Sequence, residues 1–206
     1  SLLIKDLEQK IADPRTKEDL NLIINEANRC KNIVSNLLNF ARQGKLNLTK
    51  YNFSESIRKL VKAYEINPRY KDVGIKIEDD AENVMLDGDK DQIEQVFLNL
   101  FNNACEAMEE SIEKNLLIKI YQNSNYIVTE ITDTGSGIPK QSFNKVFTPF
   151  FTTKKIGKGT GLGLAITYGI IKMHKGEIFF NSEVGKGTTF TVKIPMDLDL
   201  ISTKFN

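Results

Sequence analysis

The feature that most constrains this chain is a change of hydrophobic period at Gly44. Before it, Leu20, Ile23, Ala27, Cys30, Val34, Leu37 and Ala41 recur at alternating spacings of three and four. That is the seam of a helix packed along its length. Ile24 and Leu38 widen the seam, as a bundle helix requires and a two-stranded coil does not. An ordinary amphipathic helix packed on its own domain is the alternative. After Gly44, short alternating runs and helical patterns interleave, the texture of an α/β layer. Two units follow: residues 1–45, a partial helical hairpin, and residues 46–206, an α/β domain.

Within the first unit, residues 1–12 read as a short helix, and Thr16 with Asp19 resembles a capping box. In the second, Leu46–Asn52, Gly74–Glu78 and Asn83–Leu86 read as strands. Ser54 is placed as the cap of an intervening helix, and a longer helix is expected from Asp89 to about Ile112. Leu116–Tyr121 and Tyr126–Thr132 form a strand pair, and a helix from about Gly161 to Met173 ends on Gly176 as its left-handed cap. Glu177–Asn181 and Thr188–Ile194 form a last hairpin.

Composition removes several classes of function. Basic and acidic residues number 28 and 27, for a net charge of +1, so no global field draws the chain to nucleic acid or to an anionic membrane. Two isolated cysteines, Cys30 and Cys105, make neither a disulfide framework nor a zinc site. No apolar run is long enough for a bilayer, and a cytoplasmic setting is expected.

Three constellations carry chemistry. On the helix from Asp89, Asn99, Asn103 and Glu106 stack at i, i+4 and i+7, and Asn102 lies beside them. Asparagine is a poor helix former, so three in five positions need a use for their amides. An amide oxygen is a neutral ligand suited to Mg²⁺, while a plain solvated face is the alternative. The second is Asp133-Thr134-Gly135-Ser136-Gly137-Ile138 at the inner end of a strand. A buried carboxylate needs a partner, and a purine amine is one. Gly135 and Gly137 would let backbone approach a flat base, although a calcium or turn motif also fits. The third is the glycine run Gly157–Gly163, which leads directly into a helix whose N–H groups can hold phosphate. It is neither a Walker loop nor a Rossmann turn. Before it, Phe147–Lys155 reads as a flap with aromatic anchors and two lysines, Lys154 and Lys155, within reach of a terminal phosphate. The single histidine, His174, suits a helix C-terminus better than catalysis.

In this order the pieces resemble the sensor histidine kinases of two-component systems. Gln95–Ala104 looks like their N box, Asp133–Pro139 the G1 box, Phe147–Lys154 the F box and Gly159–Leu164 the G2 box. Gly185–Phe190 looks like the terminal Gly-Thr element, and residues 17–43 like the second helix of the dimerisation and phosphotransfer hairpin. The resemblance implies a Bergerat-type (GHKL) two-layer α/β sandwich, with a mixed sheet and helices on one face, that binds Mg-ATP.

It implies Mg²⁺ on Asn103, Asn99 beside the phosphates, and Asp133 on the adenine amine with Thr188 or Thr189 supporting through water. Gly135, Gly137 and Ile138 would meet the base. Phe147, Thr153 and Lys154 would act from the flap, with Lys154 a cationic donor to the transferred group. Gly159, Thr160, Gly161, Leu162, Gly163 and Leu164 would surround the phosphates. The implied reaction moves the γ-phosphoryl group to a histidine and then to an aspartate on a response-regulator receiver domain, in a homodimer joined through the hairpin. The acceptor histidine is expected upstream of Ser1, so this chain is expected not to autophosphorylate alone. Other ATPases of the same nucleotide fold, a serine kinase, or a degenerate scaffold are the competing readings. Asn99 standing where the related ATPases carry a general-base Glu argues against the other enzymes, and the intact boxes argue against the scaffold.

Overall fold

A computed structural model describes residues 13–24, 26–27, 46–81, 83–154 and 159–197. The chain divides into two compact units, Ser1–Arg42 and Gln43–Asn206.

In the first unit, residues 14–24 and 26–27 are helical. The cap is Asp13 rather than Thr16: the Thr16 amide and hydroxyl donate to Asp13 Oδ2 at 3.1 and 2.6 Å. Pro14, which has no N–H to satisfy, takes the first helical position. Along the described part of the seam, Leu20 is half-buried and Ile23 is exposed. Cys30, Val34, Leu37, Leu38 and Ala41 lie outside the described residues, as does the short helix expected over residues 1–12.

The second unit holds a small and a large sheet. Strands β1 (Thr49–Asn52) and β3 (Met85–Gly88) pair antiparallel. The large mixed sheet has the order β2-β4-β5-β7-β6, from β2 (Gly74–Asp79), β4 (Asn115–Asn123), β5 (Tyr126–Asp133), β6 (Glu177–Glu183) and β7 (Gly187–Pro195). β2 and β4 run parallel and the other pairs antiparallel. Period-two alternation aims Leu116, Ile118, Ile120, Ile131, Phe190 and Val192 into one buried face. Helices α1 (Phe53–Glu65), α2 (Lys90–Ala107) and α3 (Gly163–Met173) cover it.

Helix α2 is the centre of that layer. Ile93, Val96, Phe97, Leu100, Phe101, Ala104 and Cys105 are all buried, a wide arc because α1 packs on the helix as well as the sheet and α3. Phe97 meets Phe53 edge to face, with ring centroids 5.5 Å apart, and truncating it to Ala would cost about 3–5 kcal/mol. Asp89 caps α2 by accepting from the Gln92 amide. The helix stops at Ala107, five residues before the expected Ile112. There the Ala107 carbonyl accepts from the Ser136 amide, and the chain turns with Ser111 N–H on Met108 O.

Two further caps differ from expectation. Asn52, not Ser54, caps α1 by accepting from the Glu55 amide; Ser54 points inward and donates to Ala81 O. At the end of α3, Lys175 and not Gly176 takes the left-handed conformation, at φ 53°. Lys175 N–H bonds Lys172 O and Gly176 N–H bonds Ile171 O, closing the helix. Gly176 is needed for space instead, since a Cβ there would lie 2.5 Å from Lys193 O. His174 is fully buried. Its Nδ1 donates to Ile170 O at 2.8 Å and its Nε2 accepts from the Asp89 amide at 3.0 Å. Burial holds its pKa below the usual histidine range, so it stays neutral and ties the end of α3 to the start of α2.

Candidate nucleotide site

The candidate residues gather at one end of the sheet, against one side of α2. Of the three asparagines, Asn102 is used by the fold: Tyr64 and Tyr70, stacked on each other, donate to its Oδ1 at 2.7 and 3.1 Å. Asn99 and Asn103 are left to the other side of the helix. The Asn99 amide donates to Gly163 O at 3.3 Å and lies 3.5 Å from the Thr167 hydroxyl, which places it on the first turn of α3.

Asn103 Oδ1 accepts from Lys154 Nζ at 3.3 Å, and Lys154 also pairs with the Glu106 carboxylate. Both members of that ion pair are about one-third exposed. Glu106 was visible in the sequence as part of the polar stack. Its role as the lysine's counter-ion comes from a contact across 48 residues.

The glycine run turns sharply into α3. Gly161 sits at φ 67°, and a Cβ there would lie 2.4 Å from the Phe150 carbonyl carbon, so only glycine fits. Phe150 itself adopts φ 65°, an uncommon conformation for a bulky residue. Thr160 Oγ1 accepts from the Leu162 amide, and Leu162 is buried while Gly159, Gly163 and Leu164 are half-buried. The Phe147 ring lies near Tyr168 and Phe180, at 5.4 and 6.0 Å between centroids. Thr153 is exposed. Lys155 lies outside the described residues.

The opposite end is drier. Asp133 ends β5 and is buried, and its Oδ1 accepts from the Gly135 and Thr188 amides at 2.8 and 3.3 Å. Burial outweighs those two bonds and pushes its carboxyl up to about 6. Gly135 packs flat on α2, since a Cβ there would lie 2.7 Å from that of Ala107. Gly137, at φ 71°, passes so close to Glu183 O that a Cβ would lie 2.2 Å away. The Ile138 amide donates to Ser182 Oγ at 2.8 Å. Nothing in the local sequence singled out Ser182, which reaches this loop across 44 residues. Thr189 is turned to the other side of β7, where its hydroxyl meets that of Thr132.

A glycine-lined helix terminus, two amide side chains and a lysine stand at one end of this site, and a buried carboxylate at the other. The sequence profile described as histidine kinase-, DNA gyrase B-, and HSP90-like ATPase matches residues 88–198, which hold every one of these groups. The chain belongs to that ATPase family.

Its relatives include the sensor kinase CckA of Brucella abortus (strain 2308), 37% identical over 201 residues, covering 90% of this chain and 21% of the relative. Sporulation kinase C of Bacillus subtilis (strain 168) is 30% identical over 187 residues, covering 90% of this chain and 43% of its own. This chain therefore spans less than half of either. Among solved structures, the nucleotide-free catalytic domain of the histidine kinase ThkA superposes with a TM-score of 0.66 at 32% identity, over 74% of this chain and 98% of that one. ThkA in complex with the response regulator TrrA gives 0.73 at 28%, over 96% and 56%. The two-layer sandwich with its mixed sheet is thus that of histidine kinase catalytic domains, and the ATPase domain binds nucleotide. Among the described residues no helix is long and apolar enough to cross a membrane.

Among the described residues, the Asn103 amide oxygen can be tested as a cation ligand. Asn103 Oδ1 already takes a cation, the Lys154 ammonium, with the Glu106 carboxylate beside it. No cluster of three or more His, Cys, Asp or Glu able to hold a metal occurs among the described residues. A cation here would take one neutral amide oxygen from the protein and complete its shell with phosphate and water. Mg²⁺ commonly keeps several waters and takes substrate phosphate oxygens beside few protein ligands.

Proposed function

We propose that this chain is the ATP-binding kinase region of a sensor histidine kinase and passes the γ-phosphoryl group of Mg-ATP to a histidine of a helical hairpin. The observation that carries this reading is Asn99 on the first turn of α3, joined to Gly163 O. The group nearest the phosphate-binding helix terminus is an amide, which positions but does not accept a proton. A site so built suits transfer to a protein nucleophile better than attack by water.

Each end of the site has its part. Asp133, with Gly135, Gly137, Ile138 and Thr188 around it, takes the adenine. Gly159 to Leu164 wrap the phosphates, with the N–H groups of the α3 terminus pointing at them. Phe147 and Thr153 belong to the flap that closes over them. Lys154 exchanges Glu106 for a phosphate oxygen, which places a cationic donor where charge develops. Mg²⁺ on Asn103 would supply further positive charge to the triphosphate. Holding the donor in line with the acceptor is the remaining contribution, since phosphoryl transfer asks little covalent help of the protein.

The acceptor lies outside these 206 residues. The chain contains one histidine, and His174 is fully buried with both ring nitrogens engaged. Onward transfer to a receiver-domain aspartate is consistent with the response-regulator complex of ThkA. Pairing of two copies through the hairpin would cover the exposed Leu22 and Ile23. A cytoplasmic setting belongs to the same proposal.

The test supplies a histidine-bearing hairpin in trans with γ-labelled Mg-ATP. Acid-labile, base-stable label on the hairpin is the expected result. Brisk phosphate release without any acceptor, and no labelled histidine, would replace the kinase reading with a simple ATPase.

A further inference from the structure

The hydrogen bonds around Ser182 fix which way protons point in the base end of the site. Ser182 Oγ has three partners: it accepts from the Ile138 amide at 2.8 Å, lies 3.0 Å from Gly187 O, and lies 2.9 Å from Thr188 Oγ1. A serine hydroxyl has one proton and two lone pairs. Gly187 O only accepts and the Ile138 N–H only donates. The single Ser182 proton therefore goes to Gly187 O, and the Thr188 hydroxyl must donate to Ser182. That leaves Thr188 Oγ1 with lone pairs and no proton for anything else.

Thr188 is the cross-strand partner of Asp133 in the β5–β7 ladder and of Ser182 in the β6–β7 ladder. Directly opposed residues project to the same side of a sheet, so all three share one face. Asp133 Oδ1 is occupied by the Gly135 and Thr188 amides. The ionised carboxylate thus offers only the lone pairs of Oδ2. Two acceptors stand side by side at this end, and the Asp133 and Thr188 side chains offer no donor there.

We infer that Ser182 is a specificity-positioning residue: by taking the Thr188 hydroxyl proton it makes the base end an all-acceptor surface that selects purines with an amine, not a carbonyl, at C6. The inference rests on the nucleotide reading of Asp133 given above. Ser182 itself does not touch the base. A C6 amine brings protons to the surface, either directly or through one water. A C6 carbonyl sets lone pairs against lone pairs and leaves buried polar atoms unmatched. Sites that hydrogen-bond one form discriminate strongly against the other.

The experiment compares ADP with inosine 5′-diphosphate (IDP), which differ at C6 and N1, by calorimetry with Mg²⁺ on the 206-residue chain. The wild type is expected to prefer ADP by tenfold or more. Ser182→Ala frees the Thr188 proton to rotate and should narrow the preference roughly tenfold, and Ser182→Thr should restore it. Thr188→Val should weaken ADP selectively.

A merely loosened loop would weaken both ligands in parallel and leave their ratio alone. An unchanged ratio in Ser182→Ala with ADP still bound, or a selective loss of IDP in Thr188→Val, overturns the inference. If Ser182→Ala does not fold, Thr188→Val carries the decision, and a parallel loss of ADP and IDP there also overturns the inference. Failure of the nucleotide reading looks different: ADP does not bind the wild type, or binds equally well to Asp133→Ala. Either outcome removes this inference with it.

Discussion

The two ends of the proposed nucleotide site are built from different materials. At the base end, Asp133 is buried and held by backbone amides, and Gly135, Gly137 and Gly187 are pressed against neighbouring backbone. At the phosphate end, Asn103, Glu106 and Lys154 hold one another through half-exposed side chains. Backbone contacts in a dry setting cannot rearrange cheaply, so they suit selection of a rigid flat ring. Side-chain contacts near water exchange at little cost, so they suit a charged group that arrives, is transferred and leaves. Gly161 is the exception at the phosphate end, a backbone-locked hinge beside exchangeable side chains.

The largest expected effect would test the phosphate end. Asn103→Ala should reduce Mg-dependent nucleotide affinity by roughly a hundredfold, because the neutral oxygen proposed to hold the cation is lost. Calorimetry with and without Mg²⁺ reads it, and equal affinity under both conditions would remove the metal from this end.

Next comes Asp133→Asn, which should separate binding from stability. Affinity should fall by a factor of ten or more, since the amide presents a donor to the purine amine. The nucleotide-free fold should gain stability at neutral pH. The Asp133 carboxyl is raised from 3.8 to about 6 by burial, so its ionised form costs the folded state up to about 3 kcal/mol above that pH. In the wild type this cost is relieved as pH falls from 6 towards 4, where the folded state holds the proton and the unfolded chain does not. Nucleotide affinity moves the opposite way, weakening as pH drops through 6, because the protonated carboxyl no longer accepts from an amine. A melting series and a binding series over pH 5 to 8 should cross in this sense. Parallel trends would show that Asp133 does not face the base.

A pair of glycine substitutions sharpens the contrast of materials. Gly137→Ala meets a carbonyl at 2.2 Å with φ at 71° and should cost ~2–3 kcal/mol of stability in thermal melts. Gly163→Ala meets nothing closer than Asn99 at 3.8 Å and should leave the melting temperature unchanged or slightly raised. It should still weaken nucleotide binding severalfold, by putting a methyl group where phosphate approaches. Equal destabilisation by both would erase the difference between the ends.

The smallest effect belongs to Glu106→Gln. The Glu106–Lys154 pair is one-third exposed on each side and is worth less than about 1 kcal/mol. Its loss should shift nucleotide affinity by no more than about fivefold and leave the melting temperature in place. A large loss of stability would mean the phosphate end is as locked as the base end.

Much of this was legible beforehand because it is written locally. The i, i+4, i+7 stack of Asn99, Asn103 and Glu106, the strand ending in Asp133, and the glycines before α3 all follow from side-chain period and backbone freedom. Caps were less legible. Asp13, Asn52 and Lys175 took positions expected of Thr16, Ser54 and Gly176, because several nearby residues had suitable chemistry and a shift of one to three places settles the choice. The early stop of α2 at Ala107 was hidden too, since the carbonyl that ends it bonds Ser136, far along the chain.

By itself, then, the sequence determined the kinds of element, the order of the motifs and the chemistry each could offer. Tertiary structure decided who holds whom. It gave Asn102 to the fold and Asn103 to the site, paired Lys154 with Glu106, made His174 a buried strut for Asp89, and made Ser182 the centre of the base end. The physical reason is range. Helical and strand periods are set by neighbours a few residues apart, whereas most of these partners are separated by 32 to 85 residues and meet only because sheet register and helix packing fix their distance.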